Sequence, residues 1–196
     1  RQEVEIYRQT PEGKLAAYIF YPPDWRAGDQ RPAMAFFFGG GWKNGSPGQF
    51  FPQAEYFASR GLVCVLFDYR VLSRHGTGPD ASVADAKAAI RWIRAQAGRL
   101  GVDPMRVIGS GGSAGAHLAV ATALVSLDPA AGEMKKIPCR PDALVLFNPV
   151  MDLREAKILD VVGRSIAEEL SPILGLRAEA PPTLMLYGAT DPLLKQ

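Results

Sequence analysis

The sequence predicts an α/β protein, a three-layer α/β/α sandwich with a mostly parallel central sheet. Three observations predict it. Short apolar runs at residues 33–38, 62–67, 106–109, 143–147 and 183–187 are separated by longer stretches, several with helical spacing. That is the pattern of strands covered on both faces and joined by right-handed crossovers. Residues 4–9 and 15–21 instead alternate polar and apolar side chains around Thr10-Pro11-Glu12-Gly13-Lys14, the pattern of an antiparallel hairpin. Finally, a glycine run, a glycine-serine turn and an Asp-Pro turn each follow one of the apolar runs, so all three fall at carboxyl ends of strands, where sites in such sheets collect.

In chain order, Pro22-Pro23-Asp24-Trp25 closes the hairpin and a polar loop leads to the strand at 33–38, which empties into Gly39-Gly40-Gly41-Trp42. Residues 50–60 have helical spacing and Gly61 is a good C-terminal stop. The strand at 62–67 is followed by Asp68-Tyr69-Arg70 and a loop through His75. Residues 82–97 form the clearest helix, with Val83, Ala86, Ile90, Ile93 and Ala97 on one stripe and Lys87, Arg91 and Arg94 largely outside it. Gly101-Val102-Asp103-Pro104 reads as a turn into the strand at 106–109. The next helix, to about residue 127, is Ala-rich and apolar nearly all round, hence buried against the sheet. A proline-containing loop leads to the strand at 143–147, residues 149–175 form a candidate small cap or lid, and the strand at 183–187 ends in Gly188-Ala189-Thr190-Asp191-Pro192.

A length of 196 residues fits one domain over 1–196. With 22 Lys and Arg against 20 Asp and Glu, the net charge of +2 gives no reason to expect nucleic acid or a membrane surface as partner. No apolar run approaches the roughly 20 residues of a membrane span. Cys64 and Cys139 make neither a disulfide framework nor a metal motif, and His75 and His117 have no ligand spacing. No metal or cofactor is expected. The chain opens on Arg1 rather than a methionine, so a preceding segment is expected. No compartment is assigned, and a secreted or periplasmic one stays open.

The stretch from Val107 to Leu118 reads as strand, sharp turn and helix with Ser113 at the apex. A serine is a useful nucleophile when a strained turn lifts its hydroxyl clear of the backbone, and that strain demands small neighbours two residues either side, here Gly111 and Gly115. The helix that follows aims its N-terminal N–H groups back at the same spot. Three readings compete. The turn could carry no chemistry. Gly109, Gly111 and Ala114 fit a dinucleotide-binding fingerprint, but Asp128, at the right distance for its acidic partner, lies in a turn with no strand before it. Ser110 could be the nucleophile, against which stands the bulky Ile108 two residues before it. Gly39-Gly40-Gly41 can present backbone N–H groups to a substrate because no side chain blocks the approach; with the Ala114 N–H it would form an oxyanion hole. Trp42 is a candidate substrate-binding side chain, with a cover over the loop as the alternative.

These residues resemble the α/β-hydrolase family, in particular the branch of hormone-sensitive-lipase-like esterases and acetyl-xylan or feruloyl esterases. The resemblance rests on Gly39-Gly40-Gly41-Trp42, Asp68-Tyr69-Arg70, Asp103-Pro104, residues 111–118 and Gly188-Ala189-Thr190-Asp191, in the family's order. It implies that Ser113 is the nucleophile, that Asp191 orients a histidine, and that Gly40, Gly41 and Ala114 donate to the oxyanion, with Gly39 shaping the loop. Asp152 is the rival acid.

The chain departs from the family's pattern twice. Phe38 stands where relatives usually have a histidine that supports the loop. The catalytic histidine belongs beyond the acid, after one more helix and strand, whereas this sequence stops at Gln196. His117, one helical turn past Ser113, is read as a packing or hydrogen-bonding residue, and His75 sits at the right sheet edge in a Gly-rich loop. The expectation is therefore a serine carboxylic-ester hydrolase for small or carbohydrate-linked esters, in a chain that continues past Gln196 to its C-terminal strand, helix and histidine and is inactive without them. The alternatives are a non-catalytic binding protein of the same fold and a peptidase or amidase with the same machinery. Nothing in the sequence sets the oligomeric state.

Overall fold

The computed structural model describes residues 1–195. Strands β1 (Gln2–Thr10) and β2 (Gly13–Phe20) form the expected hairpin, followed by β3 (Arg31–Phe37), α1 (Phe51–Ser59), β4 (Val63–Phe67), α2 (Leu72–His75), α3 (Pro79–Ala95) and α4 (Ala97–Leu100). Then come β5 (Val102–Gly112), α5 (Ala114–Leu124), α6 (Gly132–Lys136), β6 (Ala143–Phe147), α7 (Ala156–Val162), α8 (Arg164–Leu170) and β7 (Thr183–Leu186). The seven strands form one sheet in the order β1-β2-β4-β3-β5-β6-β7. Only the pairs β1/β2 and β2/β4 are antiparallel; β4, β3, β5, β6 and β7 run parallel.

Alternation along the central strands creates the three layers. Met34, Phe36, Cys64 and Leu66 pack toward α1 with Phe50, Ala54 and Ala58. Their neighbours Ala33, Ala35, Phe37, Val63, Val65 and Phe67 pack on the opposite face with Ile90, Ile93, Leu118 and Ala119 of α3 and α5. Helix α5 is buried at every residue, as its all-round apolar sequence requires.

Several boundaries differ from the sequence reading by a few residues, and two of them have a clear physical cause. Strand β5 begins at Val102, which pairs with Arg31 before the register slips and resumes at Ala33 opposite Val107. The Asp103 carboxylate holds the intervening turn, accepting from the Met105 backbone N–H (2.9 Å) and Arg106 Nε (2.9 Å). Helix α3 starts at Pro79 rather than Ser82, because a proline is well suited to a first helical turn.

Asp68-Tyr69-Arg70 holds the fold together. Asp85 on α3 is fully buried and accepts from Arg8 Nη1 (2.6 Å), the Arg70 backbone N–H (2.8 Å) and Arg70 Nε (3.0 Å), fastening the hairpin and the loop after β4 to one helix. Asp68 pairs with Arg74 at 2.7 Å. Among the described residues no helix is long and apolar enough to cross a membrane.

Candidate active site

Three non-glycine residues among those described have positive φ: Trp42 (59°), Ser113 (53°) and Asn148 (40°). They follow β3, β5 and β6, so backbone strain gathers at the carboxyl edge of the sheet, as it does where function rather than stability selects conformation. Ser113, with ψ −118°, joins β5 to α5. Its N–H donates to the Phe147 carbonyl at 2.9 Å and its carbonyl accepts the His117 N–H at 2.9 Å, so backbone bonds pin both sides of the turn. Every residue from Gly109 to Val125 is buried except Ser113.

The flanking glycines are required by space. A Cβ on Gly111 would lie 2.5 Å from the Phe37 carbonyl oxygen and 2.6 Å from Gly115 backbone atoms. One on Gly115 would lie 2.1 Å from the Phe37 oxygen and 2.3 Å from that of Phe38. The elbow is thus pressed against the end of β3, leaving no open cradle for a pyrophosphate. Asp128, the acid a dinucleotide site would need, is instead paired with Arg91 at 2.6 Å. Ser110 is fully buried and donates to the Val145 carbonyl at 2.7 Å, which removes it as a nucleophile.

Ser113 opens into a cleft of about 520 Å³ lined in part by Gly39, Gly40, Gln49, Phe50, Phe147 and Asn148. The glycine loop has φ of 139° at Gly40 and 63° at Gly41, values that L side chains rarely adopt. Its first N–H, on Gly39, is taken by Gln49 Oε1 at 2.6 Å, which suits Gly39 to shaping the loop. The Gly40 carbonyl accepts from the Lys43 and Asn44 N–H groups. The return limb is fixed to α2 by Leu72 N–H to the Trp42 carbonyl (3.0 Å) and Ser73 N–H to that of Lys43 (2.9 Å).

At Phe38 the loop is supported through Tyr69. Its ring stacks on Tyr69, centroids 4.0 Å apart and planes 14° from parallel, and the Tyr69 hydroxyl donates to the Phe38 carbonyl at 2.6 Å. Both rings are buried. Tyr69→Phe would keep the stacking but take this donor from a buried carbonyl. It is expected to cost about 1–3 kcal/mol, seen as a lower urea midpoint at unchanged slope.

Trp42 does not line the cleft. It is 3% exposed, because its left-handed backbone turns the indole inward, where Nε1–H donates to His117 Nδ1 at 3.3 Å. The structure therefore corrects the substrate-binding expectation in favour of the loop-covering one. His117 is fully buried, and its Nε2 lies 2.8 Å from the Leu170 carbonyl. Burial pushes its pKa from the ordinary 6.5 down to about 4, partly opposed by the Leu170 carbonyl. The sign follows from proton binding: between pH 6.5 and 4 the unfolded chain holds a proton here that the folded chain does not. Stability should fall by about 3 kcal/mol on acidification across that window and level off below it. Denaturant titrations of the wild type and His117→Phe at several pH values would show this slope in the former and its loss in the latter.

His75 is half-buried and uses Nδ1 to accept the Val71 N–H at 3.0 Å. It is not among the residues lining the cleft. Asp191 lies just past β7, where Oδ1 accepts the Leu193 N–H at 2.9 Å and caps the closing turn. Asp152 is engaged with Arg154 at 2.6 Å and with the Ser171 hydroxyl, and the Arg154 guanidinium holds its carboxyl below the usual range.

The family profile BD-FAE matches residues 19–196. The chain belongs to the BD-FAE family. Among curated relatives of this BD-FAE chain, the probable carboxylic ester hydrolase LipM of Mycobacterium tuberculosis is 31% identical over 195 residues, covering 90% of this chain and 45% of its own length. The esterase LipQ of the same organism is 31% identical over 194 residues, covering 90% and 46%. The chain thus spans about half the length of these curated relatives. Among solved structures, native esterase 2 of Thermogutta terrifontis superposes with a TM-score of 0.90 at 44% identity, covering 97% of this chain and 71% of that one. Its form phosphonylated by sarin gives 0.91 at 43%, covering 98% and 74%. The fold of this BD-FAE domain is that of the α/β-hydrolases.

The sequence places the loops 39–50, 70–79 and 148–170 around the pocket but not the side-chain directions within them; Gln49, Phe50 and Asn148 from two of these loops, and Phe147 just before the last, line the BD-FAE cleft. Asn148 had a legible signal, as the first residue after the apolar run 143–147. The direction of the Gln49 side chain had none, since its contact with Gly39 depends on how the intervening loop closes.

Proposed function

We propose that this chain is the nucleophile-bearing part of a carboxylic-ester hydrolase. The observation that carries the reading is Ser113 itself, held at a strained φ in an otherwise buried turn and opening into a cleft shared with the glycine loop. In this reading Ser113 Oγ attacks the ester carbonyl carbon while its proton passes to a histidine. The carbonyl oxygen, now an oxyanion, accepts from the N–H groups of Gly40, Gly41 and Ala114, the last at the first position of α5, where a helix has no internal acceptor for it. The tetrahedral intermediate collapses as the histidine returns the proton to the departing alcohol, leaving an acyl-serine. Water, deprotonated by the same histidine, then attacks the acyl carbon, and the histidine returns that proton to Ser113 Oγ as the acyl–oxygen bond breaks and the carboxylic acid is released.

Asp191 is the acid of this triad because it sits at the carboxyl end of the strand beside β6, whereas Asp152 is committed to Arg154. The base is a histidine outside residues 1–196, since His117 uses both ring nitrogens below the elbow and His75 caps Val71. The Thermogutta esterase has been solved with propionate and with butyrate bound, so short acyl groups are the proposed acyl class. Small or carbohydrate-linked alcohols are the proposed leaving groups.

The reading is tested by assaying the full natural chain on p-nitrophenyl acetate and on the matching anilide. Ester turnover far exceeding anilide turnover is expected. Preferred anilide cleavage would indicate an amidase, and absence of turnover on both a binding protein.

A further inference from the structure

His117 takes no part in the proton transfers above, yet its ring hydrogen-bonds both the glycine loop and the far end of the 148–170 segment. Its ring is fully buried one turn into α5 beneath Ser113. A carbonyl oxygen can only accept, so the 2.8 Å contact with the Leu170 carbonyl places the ring hydrogen on Nε2. Nδ1 is then bare and must accept, which it does from the Trp42 indole N–H at 3.3 Å. The two rings meet edge to face, centroids 5.0 Å apart at 85°.

Trp42 ends a run of three consecutive residues at positive φ: Gly40 at 139°, Gly41 at 63° and Trp42 at 59°. A bulky residue in the left-handed region persists only where its surroundings overdetermine it. Here the surroundings are the Leu72 N–H on the Trp42 carbonyl and His117 on the indole. The directions of the Gly40 and Gly41 N–H groups depend on the same backbone run.

We propose that His117 is a positioning residue for the glycine loop: through the Trp42 indole it sets the direction of the Gly40 and Gly41 N–H groups, and the Leu170 carbonyl fixes the tautomer that makes this possible. This rests on the ester-hydrolase reading above. It also makes the end of α8 a contributor to loop geometry, since a displaced Leu170 carbonyl would free the ring to place its hydrogen on Nδ1 and lose Trp42.

Three substitutions in the full natural chain separate the two bonds. In His117→Asn the carboxamide oxygen stands in for Nδ1 and keeps an acceptor for Trp42. In His117→Gln the carboxamide nitrogen stands in for Nε2 and keeps only the donor to Leu170. His117→Phe removes both. On p-nitrophenyl butyrate, kcat is expected to fall about 10- to 100-fold in the Phe and Gln variants, with KM within about two-fold, because misdirected donors weaken the transition state more than substrate binding. The Asn variant is expected to retain kcat within about three-fold of wild type. Equal losses in Asn and Phe, or no loss in Phe, would overturn the proposal; if the Phe variant does not fold, the Asn and Gln pair decides. In the wild type, 15N NMR of the His117 ring should show a bare Nδ1 and a protonated Nε2, and the reverse tautomer would equally overturn it. Wild type and Ser113→Ala are run alongside: an inactive wild type or an active Ser113→Ala fails the ester-hydrolase reading itself, whereas an unaffected Phe variant beside an active wild type fails the positioning role alone.

Discussion

Ser113→Ala is expected to lower kcat on p-nitrophenyl esters by at least about 10³-fold, because the remaining donors can bind an oxyanion but nothing forms the acyl intermediate. Stability should change by no more than about 0.5 kcal/mol. The backbone bonds that pin the turn, from the Ser113 N–H to the Phe147 carbonyl and from the His117 N–H to the Ser113 carbonyl, do not involve the hydroxyl. Alanine must hold the same φ of 53° that serine holds. The pairing of lost turnover with unchanged unfolding separates a chemical role for Ser113 from a structural one. Steady-state kinetics alongside a urea titration would read both.

Gly115→Ala should do the opposite and damage the fold first. Its methyl group would be placed 2.1 Å and 2.3 Å from the carbonyl oxygens of Phe37 and Phe38. Neither oxygen can swing away as a side chain would, since both are backbone atoms, one at the last residue of β3, paired with Gly111, and the other at the residue that follows it. Helix α5 must therefore shift off the sheet, and the expected cost is about 3 kcal/mol or more. Ser113 would move with the helix that starts beside it, so turnover should fall as well. Gly98→Ala is the control: a Cβ there meets nothing within 4 Å and the position lies in α4, so its expected effect is neutral to stabilising by up to about 1 kcal/mol. Equal unfolding midpoints for the two variants would refute the steric account of the elbow.

Much of the fold was legible because parallel strands buried on both faces have to be continuously apolar, as Val63–Phe67 is; the apolar runs at β6 and β7 were read the same way, yet β6 alternates buried and half-buried residues and β7 is exposed throughout. The carboxyl ends of those runs then located the glycine loop and the elbow. Gly111 and Gly115 could be read as spatial requirements from the spacing alone, and the distances at both positions bear that out. What escaped was set by side-chain direction. Nothing in Gly39-Gly40-Gly41-Trp42 announces that the tryptophan would adopt a left-handed backbone and turn beneath the loop. The early start of β5 escaped because Asp103-Pro104 is a turn signal, and it does form a turn, but within an interrupted strand pairing rather than before one. Phe38 was recognised as a departure, yet its partner was not, because the stacking with Tyr69 joins the ends of two strands that are distant in sequence.

Whether Ser113 is the nucleophile can be read by inactivating the full natural chain with a fluorophosphonate, digesting it, and mapping the adduct by mass spectrometry. One phosphonyl group per chain is expected, on Ser113, appearing in step with the loss of esterase activity. An adduct on Ser110 or another residue, or lost activity with Ser113 unmodified, would contradict that role.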